Sequence, residues 1–172
     1  GMLADVTEFD SFLLAKIGAA RRLVERRLSV TLVATQYRAT WHTGGDVLAY
    51  VPDANVVFTG DLGWSKTLPN LVDATVNDWI PTLDKIMNQY PTAKFVPGHG
   101  NVAEAVEIKD FREDLDDLRS RVKQGIADGL TVDQAKQQLN LPEKYQAFAF
   151  QNFATPNVED MYKELKGTKQ TP

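Results

Sequence analysis

Trp41-His42-Thr43-Gly44-Gly45-Asp46, followed by Phe58-Thr59-Gly60-Asp61-Leu62, reads as turn, strand, turn, strand, turn, with a histidine at one strand end and an aspartate at another. A third stretch, Val96-Pro97-Gly98-His99-Gly100, repeats the theme further along. The chain holds two histidines, and each stands in a glycine-rich turn beside a strand. Imidazole and carboxylate together suit a borderline metal such as zinc, and also manganese or iron. Strands that share one sheet can bring such residues to a common edge, and glycine beside each lets the backbone turn sharply. Taken singly, a histidine in a turn is more often a structural or surface residue than a ligand, and an aspartate after glycine is more often a turn residue.

Working outward, residues 46–51 and 56–59 form two buried-type strands joined by a turn at Pro52-Asp53-Ala54-Asn55, a β-hairpin that ends at Gly60-Asp61. Upstream, residues 28–41 are rich in β-branched and aromatic residues and read as one or two strands. Before them, residues 7–28 read as an amphipathic helix, with Phe9, Phe12, Leu13, Ile17, Ala20, Val24 and Leu28 at helical spacing. Its arginines (Arg21, Arg22, Arg26, Arg27) read as a solvated face. Downstream, Val76, Trp79, Ile80, Leu83, Ile86 and Met87 mark a helix. Pro81 belongs in a first turn, so the expected start is near Asp78 or Trp79. Ala93-Lys94-Phe95-Val96 is a short strand. A long helix over about 104–125 carries Val106 or Ile108, then Phe111, Leu115, Leu118 and Val122. Its Asp114, Asp116 and Asp117 read as solvated partners of nearby arginines. Thr131-Val132-Asp133-Gln134 is a capping box. A further helix through Tyr145, Phe148 and Phe153 is expected, then a last one with Thr155 as N-cap and Pro156 at its first position, ended by Gly167. The final residues, from Thr168, are expected to fray.

Composition bounds the function. The 172 residues fit one domain and can bury a core. The net charge of −4 gives no global attraction to nucleic acid or to an anionic membrane. Without cysteine there is no disulfide framework and no thiolate metal site. No apolar run reaches the length of a membrane span. Phe12-Leu13-Leu14-Ala15 is short and preceded by Asp5, Glu8 and Asp10, so it does not read as a signal peptide. The compartment stays open, either cytoplasmic or periplasmic after removal of a signal. Neither a GxSxG elbow nor a P-loop is present.

Taken in order, His42-Thr43-Gly44-Gly45-Asp46, Phe58-Thr59-Gly60-Asp61-Leu62 and Pro97-Gly98-His99-Gly100 give the run from about Tyr37 to Val102 a resemblance to the C-terminal half of the metallo-β-lactamase fold superfamily. Supporting matches are the Pro52 turn, the loop from Pro69-Asn70 to Asp73, and Trp79-Ile80. The resemblance implies an α/β fold: a truncated half of a metallo-β-lactamase-like αββα sandwich, with a mixed sheet flanked by helices and extra C-terminal helices. In that reading residues 1–172 form a single domain, with an N-terminal helix (7–28), the family-like half (29–102) and a helical C-terminal region (103–172). His42 corresponds to a ligand of a first metal, Asp61 to a carboxylate bridging two metals, and His99 to a ligand of the second. Thr43 and Asp46 correspond to supporting residues of the turn. In the family a metal-activated water attacks an ester, thioester, amide or phosphoester bond of a small-molecule substrate.

The family's HxHxDH segment, which supplies most remaining ligands, has no counterpart here. The expectation is therefore a zinc-dependent hydrolase by resemblance that is impaired or inactive as a lone chain. The alternative is a non-catalytic interaction or scaffold protein that dimerises through the half-fold. Either way a half-sandwich leaves one sheet face uncovered, which predicts a homodimer paired sheet to sheet.

Overall fold

The computed structural model describes residues 33–35, 46 and 48–170. The expected helix over 7–28 lies outside them, as do His42, Thr43 and most of the strand region before Asp46. Four strands form one mixed sheet in the order β1-β2-β3-β4: β1 is Val33–Thr35, β2 Leu48–Val51, β3 Val56–Trp64 and β4 Lys94–His99. The first three are antiparallel neighbours, and β3 pairs with β4 in parallel. Between the parallel strands runs α1 (Val76–Gln89), the helical crossover that a parallel pair requires. The helices α2 (Ala105–Ala127), α3 (Val132–Gln138) and α4 (Ala154–Leu165) follow. This is the expected mixed sheet flanked by helices, with additional helices at the C-terminal end.

The hairpin forms as its turn residues dictate. Pro52–Ala54 makes one 3₁₀ turn, and Asn55 closes it in the left-handed region at φ 49°, where asparagine is tolerated. Asn55 is tied further by its side-chain amide, which donates to the Thr92 carbonyl at 2.9 Å. On one face of the sheet, Leu48, Val57 and Phe95 join Trp79, Leu83 and Ile86 of α1 and Ile108, Phe111 and Leu115 of α2 in a continuous buried cluster. Trp79 stands edge-on to Phe111, with ring centroids 5.3 Å apart. In α2 the stripe is Ile108, Phe111, Leu115, Leu118 and Val122, and Val106 points to solvent. Glu104 and Glu107 form a capping box at its start, and Thr131 and Gln134 form the expected one for α3.

Several boundaries differ from the expectation, each for a long-range reason. The strand expected to end at Gly60-Asp61 continues to Trp64, because the parallel pairing with β4 resumes at Trp64 and His99. Helix α1 starts at Val76, which leaves Pro81 inside it. The Glu164 carboxylate of α4 accepts from the Val76 and Asn77 N–H groups at 3.0 and 2.9 Å, a cap that comes from 88 residues away in sequence. No helix forms through Tyr145, Phe148 and Phe153. Short 3₁₀ turns at Glu143–Tyr145 and Gln151–Phe153 stand there, because Ala149 bridges in parallel to Thr67. Helix α4 is capped at Phe153 and already includes Thr155 and Pro156. Thr168 and Lys169 are held and not frayed: both N–H groups reach the Lys163 carbonyl, and the Lys169 ammonium donates to Leu71 O and Ala74 O. Asp116 is paired with Arg112 and Arg119 as expected. Asp114, by contrast, is buried at 5% exposure instead of solvated. Among the described residues, no helix is long and apolar enough to cross a membrane.

Candidate metal centre

Asp61 and His99 come from adjacent parallel strands, and local irregularity brings them together. The β3–β4 register shifts between Phe58 and Gly60 and again between Gly60 and Trp64. Bulges of this kind re-aim side chains near the ends of strands. His99 Nε2 stands 3.4 Å from Asp61 Oδ1, and each side chain is 42% exposed. Gly98 makes the approach possible. A β-carbon there would lie 2.2 Å from Asp61 Oδ1 and 2.9 Å from the Gly60 carbonyl carbon. Gly100, at φ +93°, lets the chain turn away with its α-carbon close to the Ser65 carbonyl.

Bulging costs the Asp61–Leu62 carbonyls their places in a regular ladder, and two tryptophans compensate. The Trp64 indole N–H donates to Asp61 O at 2.9 Å. The Trp79 indole N–H donates to Leu62 O at 2.8 Å, within the core. Buried carbonyls need such partners. The Trp64 ring also packs on the His99 imidazole, with centroids 4.2 Å apart and planes tilted by 39°. The aspartate and the histidine are thus both held by a side chain that is itself almost wholly buried.

The pair opens onto a cleft of about 430 Å³. Its walls include Trp64 at the end of β3, Asn70 and Asp73 from the loop that follows, and Phe150, Asn152 and Phe153 from the segment before α4. Through the resemblance, the sequence analysis reaches the loop from Pro69-Asn70 to Asp73. It did not find Phe150 or Phe153. The signal available was the alternation Ala147-Phe148-Ala149-Phe150, a period of two that belongs to extended chain and not to a helix.

The donor set fits a metal in part. Two ligands bonded at zinc distances to one tetrahedral ion stand roughly 3.4 Å apart, which is the Asp61–His99 separation. Among the described residues, no group of three or more histidine, cysteine, aspartate or glutamate side chains stands together to complete a site. Asp46, half-buried just ahead of β2, is described, whereas His42 and Thr43 of the same turn are not.

Known proteins resemble part of this chain. A metallo-β-lactamase type 2 from Bacteroides fragilis is 32% identical over 69 residues, covering 38% of this chain and 28% of that protein. One from Bacillus cereus is 32% identical over 76 residues, covering 42% and 30%. The chain thus spans less than a third of the length of either relative. Among solved structures, a double mutant of the sec-alkyl sulfatase PisA1 aligns with a TM-score of 0.66 at 18% identity, over 80% of this chain and 24% of that one, a likeness of fold. No family model matches the chain. Over roughly two fifths of its length the chain is similar in sequence to these metallo-β-lactamases, and over a longer stretch its fold is similar to that of the sulfatase.

Proposed function

We propose that the chain carries part of a metallo-β-lactamase-type hydrolytic centre, with zinc held by Asp61, His99 and His42. The observation that carries this reading is the approach of Asp61 to His99 on neighbouring strand ends, facing an open cleft. A bound divalent ion would supply Lewis-acid polarisation of the scissile bond and a water acidified toward neutrality. The chain's own contribution is positional. Asp61 and His99 present one carboxylate oxygen and one imidazole nitrogen at ligand spacing. Trp64 holds both, through its hydrogen bond to the Asp61 carbonyl and its packing on the imidazole. The buried underside of the site limits water to the cleft side. His42 is the further donor these 172 residues offer, and the family's HxHxDH segment has no counterpart among them.

The test is elemental analysis of protein purified without chelator or affinity metal. The expected result is near-stoichiometric zinc, with affinity at least about tenfold lower in Asp61→Ala and in His99→Ala, the loss typical when a metal site's supporting groups are removed. Absence of binding after zinc is offered would sink the proposal.

A second reading is a dimerising scaffold, and a specific observation favours it. Ala49, Phe58 and Val96 stand side by side across β2, β3 and β4, and Phe58 is 46% exposed. A large exposed hydrophobe in the middle of a sheet face suits a covering partner, and a second copy of this chain offers the same self-complementary row. Sedimentation velocity is expected to show a dimer at micromolar concentration, and Phe58→Asp is expected to convert it to monomer. A wild-type monomer would end this reading.

A further inference from the structure

Phe150 is placed against both local preference and burial. Its backbone is left-handed (φ 61°, ψ 41°), a region that bulky residues rarely enter. Its ring is 44% exposed, whereas nearby Tyr145 is fully buried. Hydrogen bonds on both sides enforce the conformation. Ala149 donates to Lys66 O at 2.9 Å and accepts from Leu68 N–H at 3.0 Å, while Phe150 O accepts from Phe153 N–H at 3.0 Å. The Gln151 amide adds a bond to Phe148 O at 2.7 Å. Strain that surrounding structure over-determines, at a residue facing a cleft, is a mark of function.

The ring meets the candidate centre directly. It stands edge-on to His99 at 5.8 Å, to Trp64 at 6.4 Å and to Phe153 at 6.2 Å. An aromatic wall therefore rises beside the Asp61–His99 pair, with Asn152 the polar group on the same segment. Aromatic edges and faces at these spacings favour another ring or an apolar chain laid against them.

We propose that Phe150 is a specificity-determining residue and that the cleft takes substrates bearing an aryl or aryl-alkyl group next to the bond that is hydrolysed. This rests on the hydrolytic reading for its reaction and for seating an anionic head, which the Asp61 carboxylate accepts only through a bound divalent ion, whereas the preference for an aryl group rests on Phe150 alone. The class is a neutral aromatic group joined to a small polar or anionic head, the head at Asp61 and His99 and the ring against Phe150 and Phe153.

The test is calorimetric titration of the full chain with 4-phenylbutyrate and with butyrate, with and without added zinc. The phenyl compound is expected to bind about tenfold more tightly or better. Phe150→Gly is expected to abolish that preference while leaving zinc content unchanged and thermal stability equal or higher, because glycine relieves the left-handed backbone. A residue with only a structural role would lower the melting temperature instead, and Phe150→Tyr is expected to retain the preference. Equal binding of the two probes, binding of neither, or selectivity that survives in Phe150→Gly overturns the proposal. Selective binding without any cleavage of 4-nitrophenyl 4-phenylbutyrate by the zinc-loaded protein would overturn the hydrolytic reading and leave this one standing.

Discussion

Gly98→Ala is expected to separate Asp61 from His99 and to destabilise the chain by about 2–3 kcal/mol, the cost of forcing a methyl into a filled site. The new β-carbon would lie 2.2 Å from Asp61 Oδ1 and 2.9 Å from the Gly60 carbonyl carbon. The first clash is relieved if the aspartate rotates away, which abandons the 3.4 Å contact with His99. The second is with backbone and is relieved only if β3 and β4 move apart, at the bulge where their pairing is already interrupted. Two readouts separate the effects. Urea unfolding of the metal-free protein measures the strain, and zinc affinity measures the loss of ligand geometry. Wild-type values in both would mean that the close approach of Gly98 to Asp61 does not govern the site.

The second large effect concerns pH. Asp114 lies in the middle of α2 on the buried side, and burial pushes its carboxyl up to about 7. The charge of Arg121, one of its neighbours on α2, opposes that rise, as does Lys144, while Asp117 adds to it. Arg121 spends a hydrogen bond on the Asn140 carbonyl at 2.7 Å, so its guanidinium is not devoted to Asp114. The sign follows from proton counting. Between the unfolded value near 3.8 and the folded value of about 7, the folded chain binds the extra proton, so stability falls as pH rises through that interval. The slope is about 1.4 kcal/mol per pH unit, or about 3 kcal/mol between pH 5 and pH 8. Glu159, held down to about 2 by hydrogen bonds from Lys136 and Lys163, titrates below this window, whereas burial raises Asp160 in the same direction as Asp114, so the comparison with Asp114→Asn isolates the Asp114 contribution. Denaturant unfolding at the two pH values is therefore expected to show wild type losing stability and Asp114→Asn losing little. Parallel pH profiles for the two proteins would refute the assignment.

Asp114 also shows what was legible and what was not. It lies three residues after Phe111 and four before Leu118, so helical geometry puts it beside the apolar stripe. The surrounding run of acidic residues and arginines reads as solvated ion pairs, and for Asp116 that reading holds. Only tertiary packing distinguishes the two: Asp114 is 5% exposed and shares a small cavity with Leu68, Leu139, Leu141, Asn157 and Val158, all from outside α2. The C-terminal aromatics follow the same logic. The path of residues 147–153 depends on Lys66, Thr67 and Leu68, some eighty residues earlier, and no local pattern encodes that pairing.

Some features were determined by the sequence alone. The Thr131 capping box, the Pro52–Asn55 turn and the apolar stripe of α2 rest on contacts between residues a few positions apart, whose geometry is intrinsic to the chain, and the three ordered motifs at His42, Asp61 and His99 are legible as sequence. Other features were decided only by the tertiary structure. These are the extension of β3 past Gly60 along a parallel partner, the start of α1 under a Glu164 cap, the approach of His99 to Asp61, and the aromatic wall at Phe150. Each depends on a partner tens of residues away, and local propensity carries no information about which distant segment will supply the missing hydrogen bond or the missing apolar surface.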